Sequence, residues 1–253
     1  MILSCHNNII YGTYKLSEDS CYDLVYNAIK IGYRIIDTAQ LYKNQKQVGL
    51  AINKLIEEKF ITRKDIFVIS KVLDKNQKLN KVLNACYDIN QELNLVPDLI
   101  LLHNFFDKYY ELSWKDLEKA VSLNLTKYIG LSNFSINSVQ KILNICSIKP
   151  YVNQVELSLF NQDYDLINYL NINNIIILAH SIFTCNKKII DKSLYDLCLY
   201  WCKINKLNII IGTSNIEHLI YNFDIYFNDY KLDKLLIDKL EDYNTNFTIY
   251  KLK

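Results

Sequence analysis

Glycine and proline are scarce in this 253-residue chain, with 5 and 2 copies, far under the usual shares of about 7% and 5%. That excludes collagen-like and Gly/Pro-rich linker architectures. Turns must instead be built largely from Asn, Asp and Ser, which tolerate left-handed backbone and cap helices. No apolar run reaches the roughly 18 residues a membrane span needs, and the opening MILSCHNNII lacks the basic start and long apolar centre of a secretion signal. No membrane association is expected. A net charge of +2, with no Lys/Arg block interleaved with aromatics, argues against a nucleic-acid partner. The 7 cysteines are an odd number with no CxxC, and the histidines form no ligand cluster with them. Reduced, buried thiols, a cytoplasmic location and no metal are expected, and the N-x-S/T matches at Asn133 and Asn246 are then incidental. Tyr, with 20 copies, is abundant alongside Ile, Asn and Lys, in the manner of an A/T-rich coding sequence. An individual Tyr or Lys therefore carries weight only through its position.

Half of the residues are apolar, enough for a sizeable core, and no linker or charge block divides residues 1–253 into more than one domain. Short apolar runs recur at a steady interval: IIYGTY (9–14), YRIID (33–37), DIFVISK (65–71), DLILLH (98–103), KYIGLS (127–132), YVNQVE (151–156), IIILAH (175–180) and NIIIG (208–212). Between them lie stretches of helical apolar spacing, with Ser17, Ser113 and Ser135 placed as helix N-caps. Cys198 and Cys202, beside Trp201, read as core positions of one such helix. Strands apolar on both faces and alternating with helices indicate an all-parallel sheet. An open doubly wound sheet fits, but eight repeats at this length favour a closed (β/α)8 barrel.

The polar groups that break these runs fall at C-terminal strand ends: Thr13, Asp37, Lys71, His103, Ser132 with Asn133, Gln154 with Glu156, His180 with Ser181, and Gly212 with Thr213. In a (β/α)8 barrel those ends converge on one mouth, where the active site lies. Asp37 is costly alone at the end of a buried strand; Lys71, at the end of the next, is its candidate partner. Singly, Asp37 reads as a cap, Lys71 as a surface charge, His103 as a core histidine and Tyr42 as one tyrosine of many. Together they read as a site.

GYRIIDTAQLYKNQKQVGLAI, DIFVISKV, DLILLHNF, KYIGLSNFSINSVQKIL, PYVNQVELSLF, IIILAHSIF and IIIGTSNIEHLIYNF, taken in order, resemble the aldo-keto reductase superfamily from about Gly12 to Asn222. The resemblance implies a tetrad of Asp37, Tyr42, Lys71 and His103 that reduces a small-molecule carbonyl with NADPH, NADH being the other possible donor. A free Tyr has a pKa of about 10 and is a poor acid near neutrality; Lys71 would lower it, Asp37 would hold Lys71, and His103 would orient the carbonyl. For the cofactor it implies Ser132, Asn133 and Gln154 on the nicotinamide carboxamide, with Gly12, Thr13 and Asp37 in the pocket floor. Ser181 and the turn Gly212, Thr213, Ser214 and Asn215 would hold the phosphates, and His218 and Asn222 would sit near the adenosine. His180 stands where the family usually stacks a Tyr on the nicotinamide. The segment TCNKKIIDKS after the seventh strand and the C-terminal tail are shorter than the family usually has. Those trimmed parts motivate a second expectation, a catalytically weak nucleotide-binding module acting through protein contacts. A monomer is expected.

Overall fold

The computed structural model describes residues 8–184, 192–227, 240–249 and 252. Cys5, Cys185, most of TCNKKIIDKS and much of the C-terminal tail lie outside the described residues. Eight parallel strands close into a barrel in sequential order: β1 (Ile9–Gly12), β2 (Ile35–Asp37), β3 (Phe67–Val72), β4 (Leu99–Leu102), β5 (Tyr128–Ser132), β6 (Val152–Glu156), β7 (Ile176–His180) and β8 (Asn208–Ile211). Closure is made by Ile9, Ile10 and Tyr11 of β1 pairing in register with Ile209, Ile210 and Ile211 of β8. The fold is the (β/α)8 barrel expected from the eight apolar runs. The first strand ends at Gly12, short of the sequence reading, because the chain turns at Thr13.

The helices are α1 (Glu18–Ile31), α2 (Gln45–Glu57), α3 (Asp74–Lys78), α4 (Val82–Leu93), α5 (Tyr110–Ser122), α6 (Ile136–Ile145), α7 (Tyr164–Ile172), α8 (Lys192–Ile204) and α9 (Ile216–Phe227). In α1 the buried residues Cys21, Leu24, Val25, Ala28 and Ile29 recur at the spacing of one helical face. Ser17 caps α1 by accepting from Ser20 N, and Ser135 caps α6 by accepting from Ser138 N. Ser113 does not cap. Helix α5 begins earlier, at Tyr110, and Ser113 is buried inside it with Trp114, Leu117 and Ala120, because that apolar face turns it toward the barrel. Cys198, Trp201 and Cys202 are buried in α8.

Glycine scarcity is answered mainly by asparagine and lysine. Left-handed backbone occurs at Asn80, Asn94, Asn124, Asn174 and Asn246, and also at Lys15, Lys43, Lys59 and Lys206. Asn94 is the left-handed C-cap of α4, and Lys59, Asn80, Asn124 and Asn174 each follow a helix C-cap, the place Gly usually takes. No Asp among the described residues does so. One glycine cannot be replaced in this way. A Cβ on Gly49 would lie 1.9 Å from the Leu93 carbonyl oxygen, so α2 and α4 pack backbone to backbone there.

Strand alternation sorts the barrel interior into layers. Ile10, Ile35, Phe67, Ile69, Leu99, Leu101, Val152 and Leu178 form an apolar plug. Two residues further along their strands, the same inward phase delivers Gly12, Asp37, Lys71, His103, Gln154 and His180 above the plug. A packed floor beneath polar strand ends is what positions the site.

Candidate active site

At the C-terminal mouth of the barrel is a cavity of about 440 Å³, and Gly12, Asp37, Tyr42, His103, Ser132, Asn133, Gln154, His180, Ser181 and Gly212 are among the residues that line it. Lys71 lies beneath, fully buried. Its ammonium donates to Asp37 Oδ1 (2.6 Å), to the Thr38 carbonyl (3.1 Å) and to Tyr42 Oη (3.1 Å). An ammonium has three N–H groups, so all three are spent and Tyr42 receives one of them. Tyr42 itself lines the cavity. The second oxygen of Asp37 accepts from Gln154 Nε2 at 2.7 Å. Burial pulls the Lys71 pKa below its ordinary value, and Asp37 opposes that pull. The short contact to Asp37 thus favours the charged form of the Lys71 ammonium.

Tyr42 ends a 3₁₀ turn, Gln40–Tyr42, between β2 and α2. Gln40 Oε1 accepts from Leu73 N and Asn76 Nδ2, both at 3.0 Å, which ties the turn to the end of β3. On the other side Asn44, fully buried, donates to the carbonyls of Thr13 and Leu16 and accepts from Thr38 Oγ1. These bonds hold the phenol beside Lys71.

His103 follows β4 and meets the Tyr42 ring edge-on, with centroids 6.1 Å apart. Burial, aided by the charge of Lys71, pushes its pKa down to about 3, and the same causes bring His180 to about 3. Both imidazoles are therefore neutral near neutral pH. Their linkage to stability has a definite sign. Each folded pKa is depressed below the 6.5 of a free histidine, so unfolding takes up a proton between 6.5 and about 3. The stabilisation is present above pH 6.5 and lost as the pH falls, by up to about 1.4 kcal/mol per pH unit for each ring. Denaturant titrations at pH 7 and pH 5 should show a loss of about 2–4 kcal/mol from these two groups, with His180→Gln recovering about half. An unchanged slope in that variant would contradict the assignment.

Not every expected residue faces the cavity. Thr13 is out of phase with Gly12 and fully buried; its hydroxyl donates to the Asp37 carbonyl, so it braces the end of β2 and does not line the floor. Asn222 is buried in α9 and accepts from the Tyr195 hydroxyl. His218 is exposed on the first turn of α9. Asn215 caps that helix: its Oδ1 accepts from Glu217 N at 2.7 Å and from His218 N at 3.4 Å. Those two N–H groups are thereby already occupied, and Asn215 N itself donates to Thr213 Oγ1. Ser214 is exposed in the same turn.

Other residues escaped the sequence reading. Tyr14, Lys15, Leu41, Ile182 and Phe183 also line the cavity. Lys15 sits in the turn after β1 with φ of 64°, and no periodicity marks such a loop cation. Glu156, read with Gln154 at the end of its strand and two residues beyond it, accepts from Thr248 Oγ1 at 2.7 Å and Ile249 N at 3.1 Å, tying residues 248 and 249 to β6.

A profile of the Aldo/keto reductase family matches residues 8–185. The chain belongs to that family. It is an oxidoreductase. An uncharacterized oxidoreductase of Schizosaccharomyces pombe is 30% identical over 259 residues, covering 94% of this chain and 91% of that protein. An NADPH-dependent D-xylose reductase of Meyerozyma guilliermondii is 33% identical over 200 residues, 68% of this chain and 63% of that protein. Among solved structures, an aldo-keto reductase enzyme from a Medee basin deep-sea metagenome library superposes with a TM-score of 0.87 at 27% identity, covering 97% of this chain and 94% of that one. Among the described residues no helix is long and apolar enough to cross a membrane.

Proposed function

We propose that the protein reduces aldehydes or ketones to alcohols with NADPH, Tyr42 supplying the proton. The observation that carries this reading is the Lys71 ammonium, which donates to Tyr42 Oη at 3.1 Å where the Tyr42 side chain lines the cavity. NADPH, when bound, supplies the hydride. Ser132 and Asn133 offer polar groups to its carboxamide, and Gln154, whose Nε2 is held by Asp37, offers its amide oxygen. Lys15, at the cavity wall, presents a cation to the diphosphate. His103, neutral, donates to the carbonyl oxygen and aligns it with Tyr42. As the oxygen gains charge it takes the Tyr42 proton, and Lys71 stabilises the phenolate left behind. Loss of NADPH absorbance on adding aldehydes from a broad panel tests the reading; tight nucleotide binding with no turnover of any member would overturn it.

The preference for NADPH over NADH is expected to be small, under about tenfold. A 2′-phosphate near the first turn of α9 would find Gly212 without charge, two N–H groups already committed to Asn215, and the Glu217 carboxylate in the same turn. The side-chain donors there are Thr213, Ser214, the Asn215 amide and His218, with no Lys or Arg among residues 212–219. Fluorescence titrations with both nucleotides check this, and a hundredfold gap would contradict it.

Substrates should be apolar or aromatic carbonyls in preference to aldoses. Beyond the polar groups assigned to the nucleotide, the wall offers the Tyr14 ring and Leu41. Asn104, next after His103, has its amide committed to Asp74 at 3.0 Å. Each sugar hydroxyl buried without a partner costs about 1–3 kcal/mol. An aromatic aldehyde should therefore exceed D-xylose in kcat/KM by at least about a hundredfold. Equal values would show that the wall supplies hydrogen bonds to the sugar hydroxyls, against this expectation.

A further inference from the structure

Resting on the nicotinamide-nucleotide reading, we propose that His180 is a positioning residue that locks the side-chain amide of Asn133 with its oxygen facing the ligand, so that the site selects a primary carboxamide. His180 Nε2 lies 3.2 Å from Asn133 Oδ1, and Nδ1 lies 2.9 Å from Ser181 Oγ. The Asn133 amide nitrogen donates to the His103 carbonyl at 3.1 Å and to Ser132 Oγ at 3.2 Å. With both amide protons so placed, Oδ1 is the atom that faces His180, and an amide oxygen only accepts. His180 must then carry its proton on Nε2. The ring is neutral, so Nδ1 is bare and accepts from the Ser181 hydroxyl. One chain of hydrogen bonds thus runs Ser181, His180, Asn133, His103, joining the ends of β7, β5 and β4 around the cavity.

The backbone bears out how firmly this chain is built. Asn133 and Ser181 both hold left-handed backbone, with φ of 62° and 58°, a conformation uncommon for non-glycine residues. Asn133 N donates to the Gln154 carbonyl at 2.8 Å, fixing the turn from the other side. These left-handed turns bring two out-of-phase side chains, Asn133 and Ser181, into the wall.

The consequence is chemical. An asparagine amide rotated by half a turn occupies the same volume but presents NH₂ where it presented oxygen. His180 Nε2–H joins the His103 carbonyl in holding the oxygen-inward orientation and uses one lone pair of Oδ1, leaving the other to accept from an incoming N–H. A tyrosine or phenylalanine at this position has an aromatic face but no N–H at the ring edge beside Asn133. The same ring can keep its face toward the cavity; the selection described here comes from its edge.

Two measurements test this. In the ligand-free protein, nitrogen NMR of His180 should show the neutral tautomer with the proton on Nε2; a proton on Nδ1 would overturn the proposal whatever the protein binds. In titrations, wild type should bind NADP about tenfold more tightly than its acetylpyridine analogue, in which a methyl ketone replaces the primary amide, since one neutral hydrogen bond is at stake. His180→Phe should lose that discrimination, His180→Gln, which keeps a donor, should retain most of it, and all three proteins should bind the adenosine bisphosphate half of NADP equally. Retained discrimination in His180→Phe, or equal loss in His180→Gln, would refute the amide-locking role while leaving the nucleotide reading intact. Failure of wild type to bind NADP and its adenosine half alike would instead remove the nucleotide reading, and this inference with it.

Discussion

Tyr42→Phe should lower carbonyl reduction by about 10²–10⁴-fold, the usual worth of general acid catalysis, while nucleotide affinity and thermal stability stay near wild type. The other groups around the reacting carbonyl are unfit to give a proton. His103 and His180 are held neutral, with pKa values pushed down to about 3. Asp37 already accepts from both Lys71 and Gln154, and Lys71 spends its three N–H groups on Asp37, Thr38 and Tyr42. Removing one hydroxyl leaves Lys71 with its carboxylate and carbonyl partners, and the Phe ring keeps the contacts of Tyr42 with Tyr14 and His103, at centroid distances of 5.0 and 6.1 Å. A single-turnover rate near wild type in the variant, with binding unaffected, would show that the proton comes from elsewhere.

How much of this was legible in the sequence follows from what each residue's neighbours are. Barrel strands are buried on both faces, so each appeared as an apolar run, and the polar residue ending it stood out against that background. Asp37, Lys71 and His103 were visible for that reason, and their inward phase is the alternation of the strand carried two residues past the apolar plug. Thr13 shows the limit: one residue out of phase, it points away from the cavity, and a shift of a single position reverses the face. Ser113 failed differently, since a serine before an amphipathic run looks the same whether it caps the helix or lies one turn inside it. Loop residues such as Lys15 and Phe183 had no periodicity to reveal them. The hydrogen bonds of His180 and Asn215 depend on left-handed turns and on caps formed in three dimensions; the Asn215 turn looked available to a phosphate, but its N–H donates to Thr213 Oγ1 and the N–H groups of Glu217 and His218 donate to the Asn215 side chain.

The heaviest losses should come from splitting the Asp37–Lys71 pair, and the pattern among three variants is diagnostic. Lys71→Met leaves Asp37 buried with Gln154 as its remaining side-chain donor, at a cost of about 3–5 kcal/mol for an unpaired buried charge, and it also removes the cation that lowers the phenol pKa. Asp37→Asn leaves Lys71 buried without its carboxylate. Burial already pulls the Lys71 pKa down and Asp37 is what opposes it, so in this variant the ammonium deprotonates at lower pH than in wild type. Here the folded pKa is depressed below the unfolded one; the unfolded chain binds the extra proton between the two values, and stability of Asp37→Asn rises with pH across that window. Its activity should fall across the same window, because a neutral amine no longer stabilises the phenolate. Stability and turnover moving in opposite directions with pH is a signature that a merely misfolded variant does not give. The double variant Asp37→Asn/Lys71→Met carries no unpaired charge, so it should be more stable than the sum of the two single losses allows, with a coupling of about 1–3 kcal/mol. Its turnover should nonetheless stay as low as that of Lys71→Met. Denaturant midpoints and kcat for the four proteins at matched pH decide the matter: additive stability losses would show that the buried pair is not the source of the cost, and recovered turnover in the double variant would show that Tyr42 does not need the ammonium.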